Sequence, residues 1–200
     1  TDGHGAIQEM TWEQLSRLDA GFRFSPDGKA FPYRARGLRV PRLEEVLREF
    51  PQARLGIEIK QAPLDTVTHL ADLLHRYQAE NRVLLAGFDP AMVAEQRRQL
   101  PGIATSATPS EVRLFWIASY LHLESFTAAD YSVLHIPLEH KGQTLVTARL
   151  VEAAHARGIK VLPWTLDSDA EVEVCRATGC DGFNTNVPGE MLKFRQAWPR

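Results

Sequence analysis

Two charged residues that alternate with isoleucines are the first candidates for chemistry in this sequence. Glu58 and Lys60 alternate with Ile57 and Ile59, and this period of two predicts a strand on which Glu58 and Lys60 share one face. A buried carboxylate must be paired or bind a metal, and Mg²⁺ and Ca²⁺ prefer carboxylate oxygens. Glu58 is therefore either a metal ligand beside a lysine that neutralises a substrate phosphate, or simply the ion-pair partner of Lys60.

Three more candidate binding residues stand at or near the ends of later apolar segments. Trp164 offers a flat apolar ring and one N–H donor, which suit packing against the carbon chain of a ligand. Phe88 is predicted either to contact the same ligand or to fill the core, and core packing is also the alternative for Trp164. Glu139 is either a ligand contact or a solvated loop carboxylate. His135 lies within a predicted strand and is interpreted as a structural histidine.

The elements that position these residues form a regular alternation of short apolar segments and amphipathic helices. About six such units predict parallel strands with right-handed crossovers, arranged in a doubly wound sheet or an eight-fold barrel. No G-x-G-x-x-G follows a strand, which disfavours a dinucleotide-binding sheet. Charged and aromatic strand ends favour a TIM-type (β/α)8 barrel, whose sites lie at the carboxyl ends of the strands. Six units in 200 residues, against about 250 for a complete barrel, predict a barrel that lacks its first two strands.

Composition excludes several classes of protein. The net charge of −2 and pI near 6.4 argue against a nucleic-acid binder, and no apolar run approaches the roughly 18–20 residues of a membrane span. Cys175 and Cys180 match no zinc spacing, so a reducing, cytoplasmic location is expected. Residues 21–37 mix aromatic side chains with arginines. This loop either contacts an acyl chain or a lipid headgroup surface, giving a peripheral membrane location, or is held in place by its own aromatics.

Short motifs in a fixed order give a resemblance to a known family. The strand Ile57–Lys60 resembles the I-E-I-K strand of glycerophosphodiester phosphodiesterases, and the helix Val40–Leu47 before it resembles the family's I-P-T-L-E-E-x-L segment. The family's closing pattern is similar to Ala153-Ala154-His155, Trp164-Thr165, Gly179–Gly182 and Thr185–Pro188, in that order. Residues 24–34 resemble the long loop of the lysophospholipase-D-like branch.

This resemblance implies metal-dependent hydrolysis of a glycerophosphodiester or lysophospholipid to a glycerol phosphate and an alcohol. It implies that Glu58 binds a divalent cation, Mg²⁺ or Ca²⁺, and that Lys60 contacts the substrate. Phe88, Glu139 and Trp164 remain candidate substrate contacts because of their positions at strand ends. The resemblance covers one domain over residues 1–200.

The sequence also departs from the family. The H-R-G, E-L-D and H-D motifs, which carry the acid, the base and two further metal ligands, are absent. The two histidines are therefore expected upstream of Thr1, in an N-terminal segment missing here, and this chain alone is expected to be inactive. The alternative is a non-catalytic barrel fragment that binds phosphate or lipid. Unpaired strand edges predict either that missing segment or self-association. Asn186 replaces the family's usual Asp.

Overall fold

The computed structural model describes residues 1–60 and 62–198 and divides into two compact units. Thr1–Ala53 and Asp72–Ala79 form the first unit; Arg54–Ala71 and the residues from Glu80 onward form the second. The helices are α1 (Trp12–Leu15), α2 (Leu43–Glu49), α3 (Thr66–Arg76), α4 (Pro90–Gln99), α5 (Pro109–Tyr120), α6 (Ala148–His155), α7 (Asp169–Thr178) and α8 (Pro188–Met191). The strands are β1 (Leu55–Glu58), β2 (Val83–Ala86), β3 (Ala104–Thr105), β4 (Val133–Leu134), β5 (Glu139–His140), β6 (Gln143–Thr144) and β7 (Lys160–Val161). Short 3₁₀ helices cover Ile7–Glu9, Glu80–Arg82, Glu124–Phe126 and Leu192–Ala197.

The second unit is built on parallel strands that pair in the order of the sequence. Strand β1 pairs with β2, and β2 pairs with β3, all parallel. A parallel bridge between Ser106 and Val133 continues the series from β3 to β4, and β4 pairs with β7. Beyond β7, Asn184 donates its N–H to the carbonyl of Pro163 at 2.9 Å. Six consecutive parallel segments therefore lie side by side, as the alternation predicts.

The helices of this unit begin where local sequence provides a cap. Asp89 accepts a hydrogen bond from the N–H of Ala91 ahead of Pro90, and Ser168 forms a reciprocal capping box with Glu171. Helix α7 ends at Gly179, whose φ of 86° is the left-handed conformation that glycine adopts without strain. The predicted starts of α4 and α7 are confirmed.

One continuous apolar core lies between the later strands and their helices. Phe115 of α5 is fully buried, and it packs in the same cluster as Leu134, Leu150 of α6, Val161 and Val172 of α7. The residues of this cluster recur at helical spacing on α6 and α7 and at alternate positions along the strand segments, which is why each element buries one face.

Two local predictions need correction. Residues 182–185 are hydrogen-bonded beside β7 but do not form a regular strand, and the expected final helix breaks into α8 and a 3₁₀ turn. A β5–β6 hairpin was not predicted. Its turn uses Lys141 (φ 50°) and Gly142 (φ 77°), and Lys-Gly is a weaker hairpin signal than Asn-Gly. Within the described residues, no helix has both the length and the apolar character that crossing a membrane requires.

Candidate functional site

The carboxyl ends of the six parallel segments open into one cavity of about 830 Å³. Parallel strands deliver their last residues to the same edge, so residues far apart in sequence meet there. Each segment contributes at least one side chain to the wall, which includes Glu58, Phe88, Ser106, His135, Trp164 and Asn184. Of the four residues predicted to contact substrate, Lys60, Phe88 and Trp164 line this cavity together with Glu58.

Glu58 and Lys60 meet as an ion pair on the cavity wall. Glu58 Oε1 lies 2.8 Å from Lys60 Nζ, and the Glu58 side chain is 28% exposed whereas that of Lys60 is 72% exposed. Oε1 is buried and makes no hydrogen bond of good geometry. The structure is compatible with both interpretations made from the sequence, a metal ligand beside a phosphate-binding lysine and a simple ion pair, because the two residues are partners and both line the cavity.

An aromatic cluster forms the floor beside this pair. The Lys60 ammonium lies 5.5 Å from the centre of the Phe88 ring, and Phe88 meets Trp164 edge to face at 6.4 Å. Trp164 also meets the ring of His135 edge to face at 6.2 Å. Trp164 therefore joins the two sides of the cavity, and the exposed face of Phe88 remains available to a ligand.

His135 lies on the cavity wall, although its position in the sequence led only to its interpretation as a structural histidine. Burial lowers the pKa of His135, and this effect outweighs the hydrogen bond to the Asn184 side chain and the charge of Glu58, which both raise it. The imidazole is therefore neutral at pH 7, with one nitrogen able to donate and the other to accept. The predicted strand includes His135, whereas β4 ends at Leu134, so the pattern alone does not place His135 at a strand end.

Helix α5 supplies a second wall that sequence reasoning missed. Val112, Trp116 and Ile117 present apolar surface to the cavity, and Arg113 adds a cation without an ion-pair partner among the described residues. The facing hairpin contributes Leu145 together with the polar side chains of His140 and Gln143. The i, i+4, i+5 spacing on α5 resembles an ordinary core stripe, so the pattern alone does not distinguish a cavity wall from a packed face.

Glu139 is the one predicted contact that lies elsewhere. It is exposed on β5 and borders a smaller neighbouring cavity with Thr144, Glu171 and Val174. The unpredicted hairpin carries it away from the strand end, since the chain turns after Pro137 rather than continuing the parallel segment.

The fit of these residues to a divalent cation is incomplete. Ca²⁺ takes six to eight oxygen ligands and Mg²⁺ six. Glu58 offers one carboxylate, and within residues 1–60 and 62–198 no three His, Cys, Asp or Glu side chains lie close enough to share a metal ion. The described residues therefore do not by themselves complete a metal site.

The cavity is nevertheless well suited to an amphipathic anion. Lys60 and Arg113 are cations on its wall, His135 is a neutral hydrogen-bonding group, and Trp164, Trp116 and their neighbours provide apolar surface. Cations stabilise a phosphate, and aromatic faces bury carbon chains. The combination favours a phosphate ester with an apolar portion over a purely polar or purely apolar ligand.

The chain is similar to known proteins over most of its length. The profile of the glycerophosphoryl diester phosphodiesterase family matches residues 1–190. A glycerophosphodiester phosphodiesterase from Bacillus altitudinis is 25% identical over 202 residues, covering 98% of this chain and 76% of the relative. Human lysophospholipase D GDPD3 is 23% identical over 179 residues, covering 78% of this chain and 56% of the relative. The corresponding domain of Mycobacterium tuberculosis Rv2277c superposes with a TM-score of 0.83 at 20% identity, covering 97% of this chain and 78% of that structure. The fold is therefore an α/β fold of the TIM-barrel type.

Proposed function

Since this chain belongs to the glycerophosphoryl diester phosphodiesterase family, we propose that its cavity binds a glycerophosphodiester for hydrolysis to a glycerol phosphate and an alcohol. The observation that carries the proposal is the combination of the cations Lys60 and Arg113 with the aromatic floor of Phe88 and Trp164 in one cavity. In the reaction, a nucleophilic oxygen loses its proton and bonds to phosphorus, the bond to the alcohol oxygen breaks, and the departing alcohol takes a proton. Where the nucleophile is a neighbouring glycerol hydroxyl rather than water, water then opens the cyclic phosphate to the glycerol phosphate.

The residues of this chain act on binding and orientation. Lys60 neutralises a phosphoryl oxygen, and Arg113 approaches the phosphate or the departing group from α5. Trp164 and Phe88 pack on the glycerol carbons. His135, neutral because burial lowers its pKa, hydrogen-bonds a glycerol hydroxyl or a phosphate oxygen. The general acid and base are expected outside these residues, as the absent family motifs imply.

Glu58 is proposed as one oxygen ligand of a divalent cation, Mg²⁺ or Ca²⁺. Its buried Oε1, which lacks a well-formed hydrogen bond, supports this role. Such a cation would polarise the phosphoryl oxygens when bound. Glu58 would hold the cation through its carboxylate, and Lys60, its ion-pair partner at 2.8 Å, would then bind the substrate phosphate.

The finer proposal is that lysophospholipids are among the substrates. Val112, Trp116, Ile117 and Leu145 are apolar residues of the cavity wall, and we expect a short glycerophosphodiester to leave them uncovered. An acyl chain packed against them would remove apolar surface from water at about 25 cal/mol per Å². The similarity to human lysophospholipase D GDPD3 supports this choice.

A second candidate is binding without turnover. It is favoured by the lone carboxylate at the site, because the described residues contain no group of three possible metal ligands. In that case the cavity holds a phosphate ester or a lipid and no product appears with any metal.

The test measures choline release from glycerophosphocholine and from lysophosphatidylcholine with Mg²⁺, with Ca²⁺ and with chelator. Binding of glycerol 3-phosphate is measured in parallel by calorimetry. Lys60→Gln is expected to weaken binding about ten-fold, since a charge-assisted contact contributes about 1.5 kcal/mol. Lys193→Gln removes an equal charge that pairs with Asp169 outside the cavity, and it serves as the control.

The outcomes separate the candidates. Metal-dependent choline release that Lys60→Gln reduces supports the hydrolase. Binding that Lys60→Gln weakens, without choline release, supports the non-catalytic function. Equal binding by both variants, or none by the unmodified chain, refutes the assignment of this cavity. A preference for lysophosphatidylcholine that Trp116→Ala removes supports the proposal that an acyl chain packs against the apolar residues of the cavity wall.

A further inference from the structure

A strongly basic loop with exposed apolar side chains belongs to the first unit, and none of its residues lines the cavity. We define the basic loop as residues 20–40. It contains five basic residues and one acidic residue in a protein whose net charge is −2. The basic residues are Arg23, Lys29, Arg34, Arg36 and Arg39. None of these five has a carboxylate partner in the part of the chain that the structure describes.

The basic loop has a defined conformation. Asp19 ties the start of the loop to its later part, since its carboxylate accepts hydrogen bonds from the N–H of Gly21 at 2.9 Å and from the N–H of Ala35 at 2.7 Å. A Cβ on Gly21 would lie 2.4 Å from the carbonyl oxygen of Tyr33, so only glycine allows the backbone at residue 21 to approach the backbone at Tyr33 so closely.

Arg34 forms the centre of the loop. Its guanidinium lies 4.3 Å from the Phe22 ring and 4.0 Å from the Phe31 ring, and its Nε donates to the carbonyl of Phe22 at 3.0 Å. Cation–π contacts of this kind contribute about 0.5–2 kcal/mol each. Arg34 is therefore structural. Arg39 donates to the carbonyl of Arg17 at 3.0 Å and Arg23 lies 3.4 Å from Nδ1 of His4, so Lys29 and Arg36 are the exposed cations best placed to meet a ligand.

The basic loop also exposes apolar side chains between its cations. Phe24, Phe31, Tyr33 and Leu38 have exposed fractions between 38% and 53%. Phe24 and Tyr33 meet edge to face at 5.3 Å, so they form one patch rather than separate side chains. Exposed apolar groups among cations are the composition of a surface that binds at the interface of an anionic membrane.

From this arrangement we infer that the basic loop docks on the surface of an anionic lipid bilayer. The cations meet the headgroup phosphates, and Phe24, Tyr33 and Leu38 enter the boundary between headgroups and acyl chains. Nucleic acid fits less well, because base recognition requires open aromatic faces. Arg34 already covers the faces of Phe22 and Phe31. Leu38 has no role in stacking.

The experiment is sedimentation of the intact chain with vesicles. One set contains phosphatidylcholine alone, and the other contains phosphatidylcholine mixed with phosphatidylglycerol. Lys29→Gln with Arg36→Gln removes two exposed cations and leaves Arg34 in place. Arg54→Gln with Lys141→Gln removes the same charge from exposed positions of the second unit and is the matched control. Circular dichroism checks that each variant is folded.

The unmodified chain is expected to sediment with the anionic vesicles and to dissociate as salt is raised, because salt screens the charges. The Lys29/Arg36 variant is expected to partition about 25-fold more weakly, since each basic residue near an anionic leaflet contributes roughly a five-fold factor. The Arg54/Lys141 variant is expected to bind within about two-fold of the unmodified chain. Leu38→Ser is expected to weaken binding without changing its salt dependence.

Three results would overturn the inference. The first is equal binding to neutral and anionic vesicles, and the second is equal loss in the two double variants. The third is binding of oligouridylate, or concentration-dependent dimerisation, that Lys29→Gln with Arg36→Gln abolishes while vesicles are not bound. The choline-release assay is independent of all three, so the docking surface and the proposed hydrolase can fail separately.

Discussion

The ion pair between Arg97 and Glu111 fixes the end of β3 at the cavity, and its removal gives a sharp stability prediction. Arg97 donates to Glu111 through Nη1 at 2.6 Å and through Nη2 at 3.1 Å. It also donates to the Thr105 hydroxyl at 3.1 Å and to the carbonyl of Ser106 at 3.2 Å. Glu111 in turn accepts the N–H of Thr108 at 2.7 Å as the capping box of α5. One guanidinium thus joins α4, β3 and α5.

The cost of Glu111→Ala follows from these contacts. The two side chains are only 21% and 27% exposed, so Arg97 would be left largely buried and without its anion. Breaking a buried pair costs about 3–5 kcal/mol, and partial exposure places this pair near the lower end. Loss of the capping box adds about 1 kcal/mol. We expect the free energy of unfolding to fall by about 3–4 kcal/mol.

The assay is urea unfolding followed by circular dichroism, with Glu173→Ala as the matched control. Glu173 also pairs with an arginine through two nitrogens, but both side chains are about half exposed. Exposed pairs contribute under about 1 kcal/mol. Equal losses in Glu111→Ala and Glu173→Ala, or a loss below about 1 kcal/mol in Glu111→Ala, would refute the argument that burial makes this pair matter.

Three further predictions concern other buried or charged groups. The Tyr131 hydroxyl is buried without a described partner, and burial raises the pKa of Tyr131 to about 12. Tyr131→Phe is therefore expected to leave the free energy of unfolding in urea unchanged or to raise it by up to about 1 kcal/mol. A loss of more than about 1 kcal/mol would show that the hydroxyl has a hydrogen-bond partner. Burial raises the pKa of Asp181, but hydrogen bonds from Lys160, the N–H of Val161 and His155 outweigh it, and the net pKa is lowered. Its stabilisation is therefore complete above about pH 4 and is lost as pH falls through the lowered value, so Asp181→Asn should flatten the acid limb of a thermal unfolding profile. Asn186→Asp places a second carboxylate beside Asp167, where Nδ2 of Asn186 now donates a hydrogen bond at 2.8 Å. Repulsion between the two charges is expected to lower the melting temperature at pH 7, and protonation at low pH is expected to restore it. A change that does not depend on pH would contradict charge repulsion as the cause.

Features encoded by neighbouring residues could be predicted from the sequence. The starts of α4 and α7 depend on Asp89 with Pro90 and on Ser168 with Glu171, and both caps close within four residues. The parallel series also follows from the alternation of elements. Because that series sends all strand ends to one edge, it was enough to bring Glu58 and Trp164 together.

Features that depend on distant contacts could not be predicted. His135 has the same sequence signal whether it packs in the core or lines a cavity, and only the opening beside Trp164 decides between them. Glu139 was placed at a strand end, but the Lys141-Gly142 turn redirects the chain. Nothing local in the basic loop indicates that Gly21 must approach Tyr33, because the two residues are twelve apart.

The order in which the parallel segments pair has a consequence for synthesis of the chain. Each segment bonds to the one that precedes it along the series, from β1 through β2, β3, β4 and β7 to residues 181–184. Each new strand can therefore pair as soon as it has been synthesised, because its partner strand precedes it in the sequence. We expect the second unit to assemble vectorially during translation, with each strand and helix adding to an existing edge. Stalled chains that end after β3 should then protect β1–β2 amides from exchange, whereas chains that end before Val83 should not.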